Sequence, residues 1–292
     1  MINAQLSKKF EPIDIFDIEY VSNPEISPQG DKILFQRNFK DVMTDKNLSN
    51  LWIVNFDGSD MRPITTGNFS SFSPKWSNSG KMFTYKSNEE GRTQLYLYNL
   101  ENNSVQKLTN MQSSIGSVEW SSDDMYLLFN SFVERTEGKL IKMPKKPKGA
   151  KWNSPPIEID DMVYRYDGGG YRRPGNNQIF VLPVEGGTPR QVSLLDKNPS
   201  SAVWLDSDNV LFSANLNENS DFEPNNSDIH KLNIKTGDLK KMTTRLGPDR
   251  SPAVSPDGSK IAYLGYDDKY LGYQQSLLYI MDALSLIHIS EP

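Results

Sequence analysis

The stretch AVSPDGSKIAYLGY, residues 253–266, sets a tight turn between two apolar runs. In Ser255-Pro256-Asp257-Gly258, proline suits the second turn position, where φ sits near about −65°. Aspartate tolerates the third position, and glycine supplies the positive φ that returns the chain into a strand. The phrase recurs. ISPQGDKILFQRN starts at Ile26, WSNSGKMFTYKSN at Trp76, WSSDDMYLLFNSF at Trp120, WLDSDNVLFSAN at Trp204 and VSPDGSKIAYLGY at Val254. These anchors are spaced 50, 44, 84 and 50 residues apart, so one period is 44–50 residues. The third interval carries roughly 40 extra residues, the mark of an insertion within a repeat.

Each copy has a second element: NLWIVNF (50–56), QLYLYNL (94–100), QIFVLPV (178–184), DIHKLNI (228–234) and LLYIMDA (277–283). All but the last have a third: RPITTG (62–67), VQKLTN (105–110), PRQVSL (189–194) and LKKMTT (239–244). Asp57-Gly58, Asn102-Asn103, Gly186-Gly187 and Thr236-Gly237 separate the two, and such pairs tolerate the positive φ of hairpin turns. The elements are short and rich in Ile, Val, Leu, Tyr and Phe. Some alternate, as in Gln94-Leu95-Tyr96-Leu97-Tyr98, which is strand patterning. Four short antiparallel strands per repeat predict an all-β fold, a partial β-propeller of about four to five four-stranded blades. A β-sandwich is the other architecture these strands could build, but it does not need turns at blade spacing. The apolar residue before each turn (Trp76, Trp120, Trp204) is expected to end an inner strand and pack between sheets.

Residues 1–20 read as a lead-in and 21–283 as the propeller, with residues 131–177 as an insertion in the third blade. The insertion opens with six lysines between Lys139 and Lys151, broken by Pro144 and Pro147. A solvated loop is the plain reading; anion or nucleic-acid binding lacks interleaved aromatic residues. Tyr164-Arg165-Tyr166-Asp167-Gly168-Gly169-Gly170-Tyr171 follows, glycines flanked by aromatic and charged groups. No Gly-Lys-Ser/Thr completes a phosphate loop, and Arg173 stands where a dinucleotide fingerprint needs glycine. Long propeller insertions carry function often enough to weigh a ligand-facing role against a packed loop. After Asp282 the chain departs from the repeat. Residues 284–292 resemble a translated adapter tail, so they are expected to be non-native, the fifth unit incomplete and the reading frame truncated.

The 292 residues carry a net charge of −5, which argues against a general nucleic-acid binder. No apolar run approaches the ~18 residues that cross a bilayer, so no membrane partner is expected. The N-terminus lacks the apolar core of a signal peptide, which favours the cytoplasm unless a signal lies upstream. There are no cysteines and two histidines, His230 and His288, so a zinc site is not expected. No other metal or cofactor is read either. A Ser-His-Asp triad needs histidine beside a nucleophile, and no Gly-x-Ser-x-Gly elbow occurs. His230 reads as a packed strand residue. Asp123-Asp124, Asp160-Asp161 and Asp267-Asp268 are adjacent pairs, and neighbours along a strand point to opposite faces. No 12-residue loop marks a calcium site.

Taken together, these stretches resemble the N-terminal propeller of the prolyl oligopeptidase family of serine peptidases, in its dipeptidyl aminopeptidase and acylaminoacyl peptidase branch. The resemblance rests on Asn50-Leu51-Trp52-Ile53-Val54 with Asp57-Gly58, on Pro147-Lys148-Gly149-Ala150-Lys151-Trp152, and on Tyr164 through Tyr171. Further matches are Ile179-Phe180-Val181 with Glu185-Gly186-Gly187-Thr188-Pro189-Arg190-Gln191, Phe212-Ser213-Ala214-Asn215, Gly247-Pro248-Asp249, and Ser255-Pro256-Asp257-Gly258 through Asp268. They run from about residue 10 to residue 283 and are most specific around Trp152 and Tyr166. The Ser-Pro-Asp-Gly turns alone are shared with Tol-type propellers.

The resemblance implies a propeller, usually of seven blades, that caps an α/β-hydrolase domain holding Ser, Asp and His. Peptides are cleaved between the two domains, and the propeller restricts entry to short or unfolded ones. The hydrolase domain is absent here, so no catalytic residue carries over. The expected function is therefore the substrate-gating portion of a peptidase, inert by itself. Arg165, Asp167 and Tyr171 are candidate substrate contacts, by their place in the insertion. The alternatives are a stand-alone Tol-like binding scaffold and a propeller glycosidase. An arc of few blades leaves terminal sheet faces exposed, so self-association through them is also expected.

Overall fold

The computed structural model describes residues 9–135, 144–153, 156–159, 161–283 and 288–290. A 3₁₀ helix, Pro12–Asp17, precedes the sheets. The first sheet holds β1 (Tyr20–Ile26), β2 (Lys32–Asp41), β3 (Lys46–Asn55) and β4 (Arg62–Pro63), and the second β5 (Ser71–Trp76), β6 (Met82–Ser87), β7 (Gln94–Asn99) and β8 (Ser104–Lys107). The third begins with β9 (Ile115–Trp120) and β10 (Tyr126–Glu134). A separate hairpin, β11 (Arg165–Tyr166) with β12 (Gly170–Tyr171), comes before the third sheet resumes with β13 (Gly175–Pro183) and β14 (Arg190–Gln191). The fourth holds β15 (Ser200–Trp204), β16 (Asn209–Ala214), β17 (Asp228–Asn233) and β18 (Leu239–Lys241). The fifth holds β19 (Asp249–Val254), β20 (Lys260–Gly265), β21 (Leu277–Asp282) and β22 (His288–Ser290). In every sheet the strands lie in chain order or its reverse, the meander of a propeller blade.

The chain divides into two compact units, Met1–Phe129 with Phe180–Arg190, and Asn130–Ile179 with Gln191–Pro292. In the first, Leu34, Leu51, Ile53, Trp76, Phe83, Tyr85, Tyr96 and Tyr98 form one core between the first two sheets. In the second, Leu211, Ile229, Met242, Ile261, Tyr263 and Met281 do the same between the fourth and fifth. Burying each such side chain is worth about 1.5–3 kcal/mol before entropy. Phe83 stacks on Tyr98 with centroids 4.9 Å apart, and Tyr85 on Tyr96 at 5.4 Å. The apparent alternation of Gln94 through Tyr98 is not a half-solvated strand: all five residues are buried. A sheet covered on both faces buries both sets of its side chains.

Three devices recur. The first is the turn that the sequence announces. Ser255 donates its N–H to Lys260 O (2.9 Å), and Gly258 N–H closes on Ser255 O (2.8 Å). Ser27, Ser77 and Ser121 repeat the pattern. The residue returning the chain to a strand is left-handed each time: Gly30 (φ 73°), Gly80 (67°), Asp124 (58°) and Gly258 (71°).

The second device lies beyond the fourth strand of the first four sheets. Leu51 N–H donates to Thr65 Oγ1 (2.9 Å), Leu95 N–H to Thr109 Oγ1 (2.9 Å), Ile179 N–H to Ser193 Oγ (2.8 Å) and Ile229 N–H to Thr243 Oγ1 (3.0 Å). The hydroxyl takes over where the backbone ladder stops. β4 and β14 span two residues, β18 three and β8 four, each shorter than the repeats predict.

The third is the tryptophan. Trp76 and Trp120 end β5 and β9, as expected. Trp76 Nε1 donates to Glu25 O (3.0 Å) and Trp120 Nε1 to Lys75 O (3.1 Å), each reaching the penultimate residue of the preceding sheet's first strand.

Two boundaries differ from the sequence reading. The third-sheet ladder runs on through Glu134 and restarts at Gly175, taking up both ends of the insertion. In the fifth unit a fourth strand does form, β22, with His288 opposite Met281 and Ser290 opposite Tyr279. Ladder pairing uses backbone groups, which any extended sequence supplies. Apart from these three residues, the suspected tail lies outside the described residues.

Candidate functional site

The first strands of the blades are irregular. β1 carries Asn23-Pro24 and β5 carries Ser73-Pro74, and proline has no N–H for the ladder. At both places the register shifts, between Ser22 and Glu25 and between Phe72 and Lys75. Asn23 (φ 49°) and Ser73 (φ 51°) are left-handed there. Such bulges re-aim the side chains beside them. Ser201 and Ser251 repeat the conformation in β15 and β19.

The bulges of β1 and β5 open onto a pocket of about 430 Å³. Asn23, Pro24 and Glu25 line it from β1, Ser73, Pro74 and Lys75 from β5, Lys86 from β6, and Ser117 and Val118 from β9. Lys75 Nζ lies 3.6 Å from Glu119 Oε2. Burial pushes the Glu119 carboxyl above its ordinary value; Lys75 draws it back, and Glu25 adds to the rise. Lys86 Nζ donates to Gly116 O (3.1 Å) and lies 5.4 Å from the Phe72 ring centroid. Among the described residues no carboxylate pairs with Lys86 and no cationic side chain pairs with Glu25. Burial alone pushes the Lys86 ammonium below its ordinary value. The arrangement presents fixed charges of both signs. A second pocket, of about 310 Å³, is lined by amides and aromatic rings, among them Gln36, Asn38, Tyr20 and Phe72.

The residues singled out in the insertion lie on the separate hairpin. Arg165 and Tyr171 are opposite one another across it, and Asp167 sits in its turn. All three are exposed. Tyr171 stacks on Tyr164 with centroids 6.2 Å apart, and Arg172 N–H bonds Tyr164 O (2.8 Å). Of the lysine run, Lys139 and Lys142 lie outside the described residues, and Lys145, Lys146, Lys148 and Lys151 are exposed.

His230 is the packed residue that the sequence predicts. It is buried, lies flat on Phe212 at 5.5 Å, and shares a hydrogen bond between Nδ1 and Asp228 O (3.0 Å). Burial pushes it below its ordinary value. Of the aspartate pairs, Asp123 and Asp268 brace their own turns, Asp124 accepts from the turn of the neighbouring sheet, and Asp161 and Asp267 lie 3.7 and 3.5 Å from Arg172 and Arg245. Asp123 Oδ1 accepts from Ser121 Oγ (2.6 Å) and Met125 N–H (3.0 Å), while Asp124 accepts from Asn78 and Ser79 N–H. Asp268 Oδ1 accepts from Tyr270 N–H (2.7 Å). Asp160 lies outside the described residues.

The sequence reading missed the 430 Å³ pocket. A lysine in an alternating strand passes for a solvent-facing one, although the Asn-Pro and Ser-Pro pairs inside apolar runs were a legible sign of bulges.

The five meander sheets define a β-propeller portion. No family model matches the chain. It is 28% identical over 210 residues to the uncharacterized peptidase YuxL of Bacillus subtilis, covering 71% of this chain and 31% of that protein. It is 26% identical to dipeptidyl-peptidase 5 of Porphyromonas gingivalis, covering 90% of this chain and 40% of the relative. A shorter match, 30% over 109 residues and 37% of this chain, is to a TolB homolog of Chlamydia abortus. Among solved structures, an acylaminoacyl peptidase in complex with Z-Gly-Gly-Phe-chloromethyl ketone superposes with TM-score 0.69 at 19% identity, covering 91% of this chain and 39% of that one. The β-propeller domain of the Trilobed protease from Pyrococcus furiosus gives 0.59 at 18%, covering 93% and 71%. The chain thus spans well under half the length of the peptidases it matches, and its fold is that of their propellers. The resemblance to prolyl oligopeptidase-type propellers read from the residues stands on both comparisons.

Proposed function

We propose that this chain is the substrate-gating propeller portion of a serine peptidase that cleaves short peptides, of the dipeptidyl or acylaminoacyl peptidase kind. The observation that carries this is the alignment with peptidases across 71% and 90% of the chain. The chain has no Gly-x-Ser-x-Gly elbow and His230 is stacked on Phe212 within a sheet. The bond-breaking groups therefore belong to a partner domain. Incubated with aminoacyl and N-acetyl-aminoacyl p-nitroanilides, the 292-residue chain is expected to give no turnover. The gene is expected to encode Gly-x-Ser-x-Gly some 200–300 residues beyond Asp282, and the longer product to hydrolyse those substrates. Robust hydrolysis by the chain alone, or a longer product inert on all of them, overturns the proposal. The shorter TolB match favours a second reading, a protein-binding scaffold. A gene without any hydrolase motif would favour it.

A further inference from the structure

The pocket between β1, β5 and β9 has more built into it than a gap between strands. Two left-handed residues, Asn23 and Ser73, sit in its lining at the bulges of β1 and β5. The bulges leave the Glu25, Lys75 and Lys86 side chains as its charged lining. Lys75 is spoken for by Glu119, at 3.6 Å. Lys86 and Glu25 are not: the Lys86 ammonium has a carbonyl, Gly116 O, and the face of Phe72, but no counter-charge among the described residues. A half-buried ammonium without a carboxylate is costly, and a ligand anion that replaced its lost hydration would recover that cost. The volume suits a small ligand. Pro24, Pro74 and Val118 supply apolar wall between the charges.

We propose that this pocket binds a short peptide with both termini free. Lys86 takes the α-carboxylate and Glu25 the α-ammonium. The proposal rests on the peptide reading above and adds a terminus-reading site to it. No bond is made or broken here; the pocket sorts peptides by their ends.

The test titrates the 292-residue chain with tri-alanine, its C-terminal amide and its N-acetyl form, following heat or amide chemical shifts. Tri-alanine is expected to bind, and each blocked form to bind at least about tenfold more weakly, the loss of one charge-assisted hydrogen bond. Lys86→Met is expected to bind the acid and the amide alike, and Lys86→Arg to keep the preference. Absence of tri-alanine binding, or equal affinity of the unmodified chain for acid and amide, overturns the proposal whether or not the variants fold. Hydrolysis is not read, so the peptidase reading fails or stands separately. A longer product that cleaves peptides while this chain ignores their termini sinks the pocket alone.

Discussion

Asp257 shows what a single residue contributes to a blade. It looks like a surface carboxylate, yet Ser255 Oγ donates to it at 2.6 Å, and Ser259 N–H (3.0 Å) and Oγ join in. Those donors, Ser255 first, hold its pKa down to about 2, from an ordinary 3.8. A carboxyl held low in the folded state adds stability that is complete above its unfolded value and lost as pH falls through the folded one. Asp257→Asn is therefore expected to lower the melting temperature at pH 7, and the gap from the parent to close as pH drops from 3.8 towards 2. Melting curves across that range check it; a gap that stays constant down to pH 2 contradicts it. This role was legible in the sequence, since Ser-Pro-Asp-Gly specifies its own turn. The role of Lys86 was not, because it depends on bulges in two other strands and on the carbonyl of a third.

At the scale of the element, the strand-and-turn pattern was legible and the polar joints were not. The five anchors fall at equivalent places in five successive sheets, because turn chemistry is local. The hydroxyl beyond the fourth strand of the first four sheets was in view, as Thr65, Thr109, Ser193 and Thr243, but its partner lies 14 residues away across a hairpin. Thr109 is buried; it accepts Leu95 N–H and donates to Gln94 Oε1 at 2.8 Å. Thr109→Val keeps the shape and removes both bonds, leaving a buried N–H and a buried amide oxygen short of partners. The expected cost is about 1–3 kcal/mol in urea unfolding, with Thr109→Ser recovering most of it. A valine variant as stable as the parent would show that the hydroxyl is incidental. Similarly, the fourth strands read as too long, because the sequence does not reveal where a side chain replaces a ladder bond.

For the whole chain, the weak point is the connection between β10 and β13. Its described part exposes Lys145, Lys146, Lys148 and Lys151, whereas the strands on either side are paired in one sheet. Exposed, unpaired backbone is where proteases cut first. Brief trypsin treatment is expected to cleave within this run before any blade, and the two pieces to co-elute on size exclusion because β10 and β13 stay paired. Early cleavage inside a blade, or pieces that separate at once, would contradict that. The insertion was visible from the 84-residue interval, but the exposed hairpin it carries was not, since Tyr164 through Tyr171 makes its contacts largely within itself.

The indole of Trp76 reaching Glu25 O, and that of Trp120 reaching Lys75 O, has a consequence for ancestry. The second module thus brings the donor for its contact with the module before it and offers the acceptor for the one after. A segment of 44–50 codons copied in frame would therefore arrive with its own seam already complementary to both neighbours. Lineages could lengthen or shorten such a protein by whole modules, without first inventing a new surface to join them.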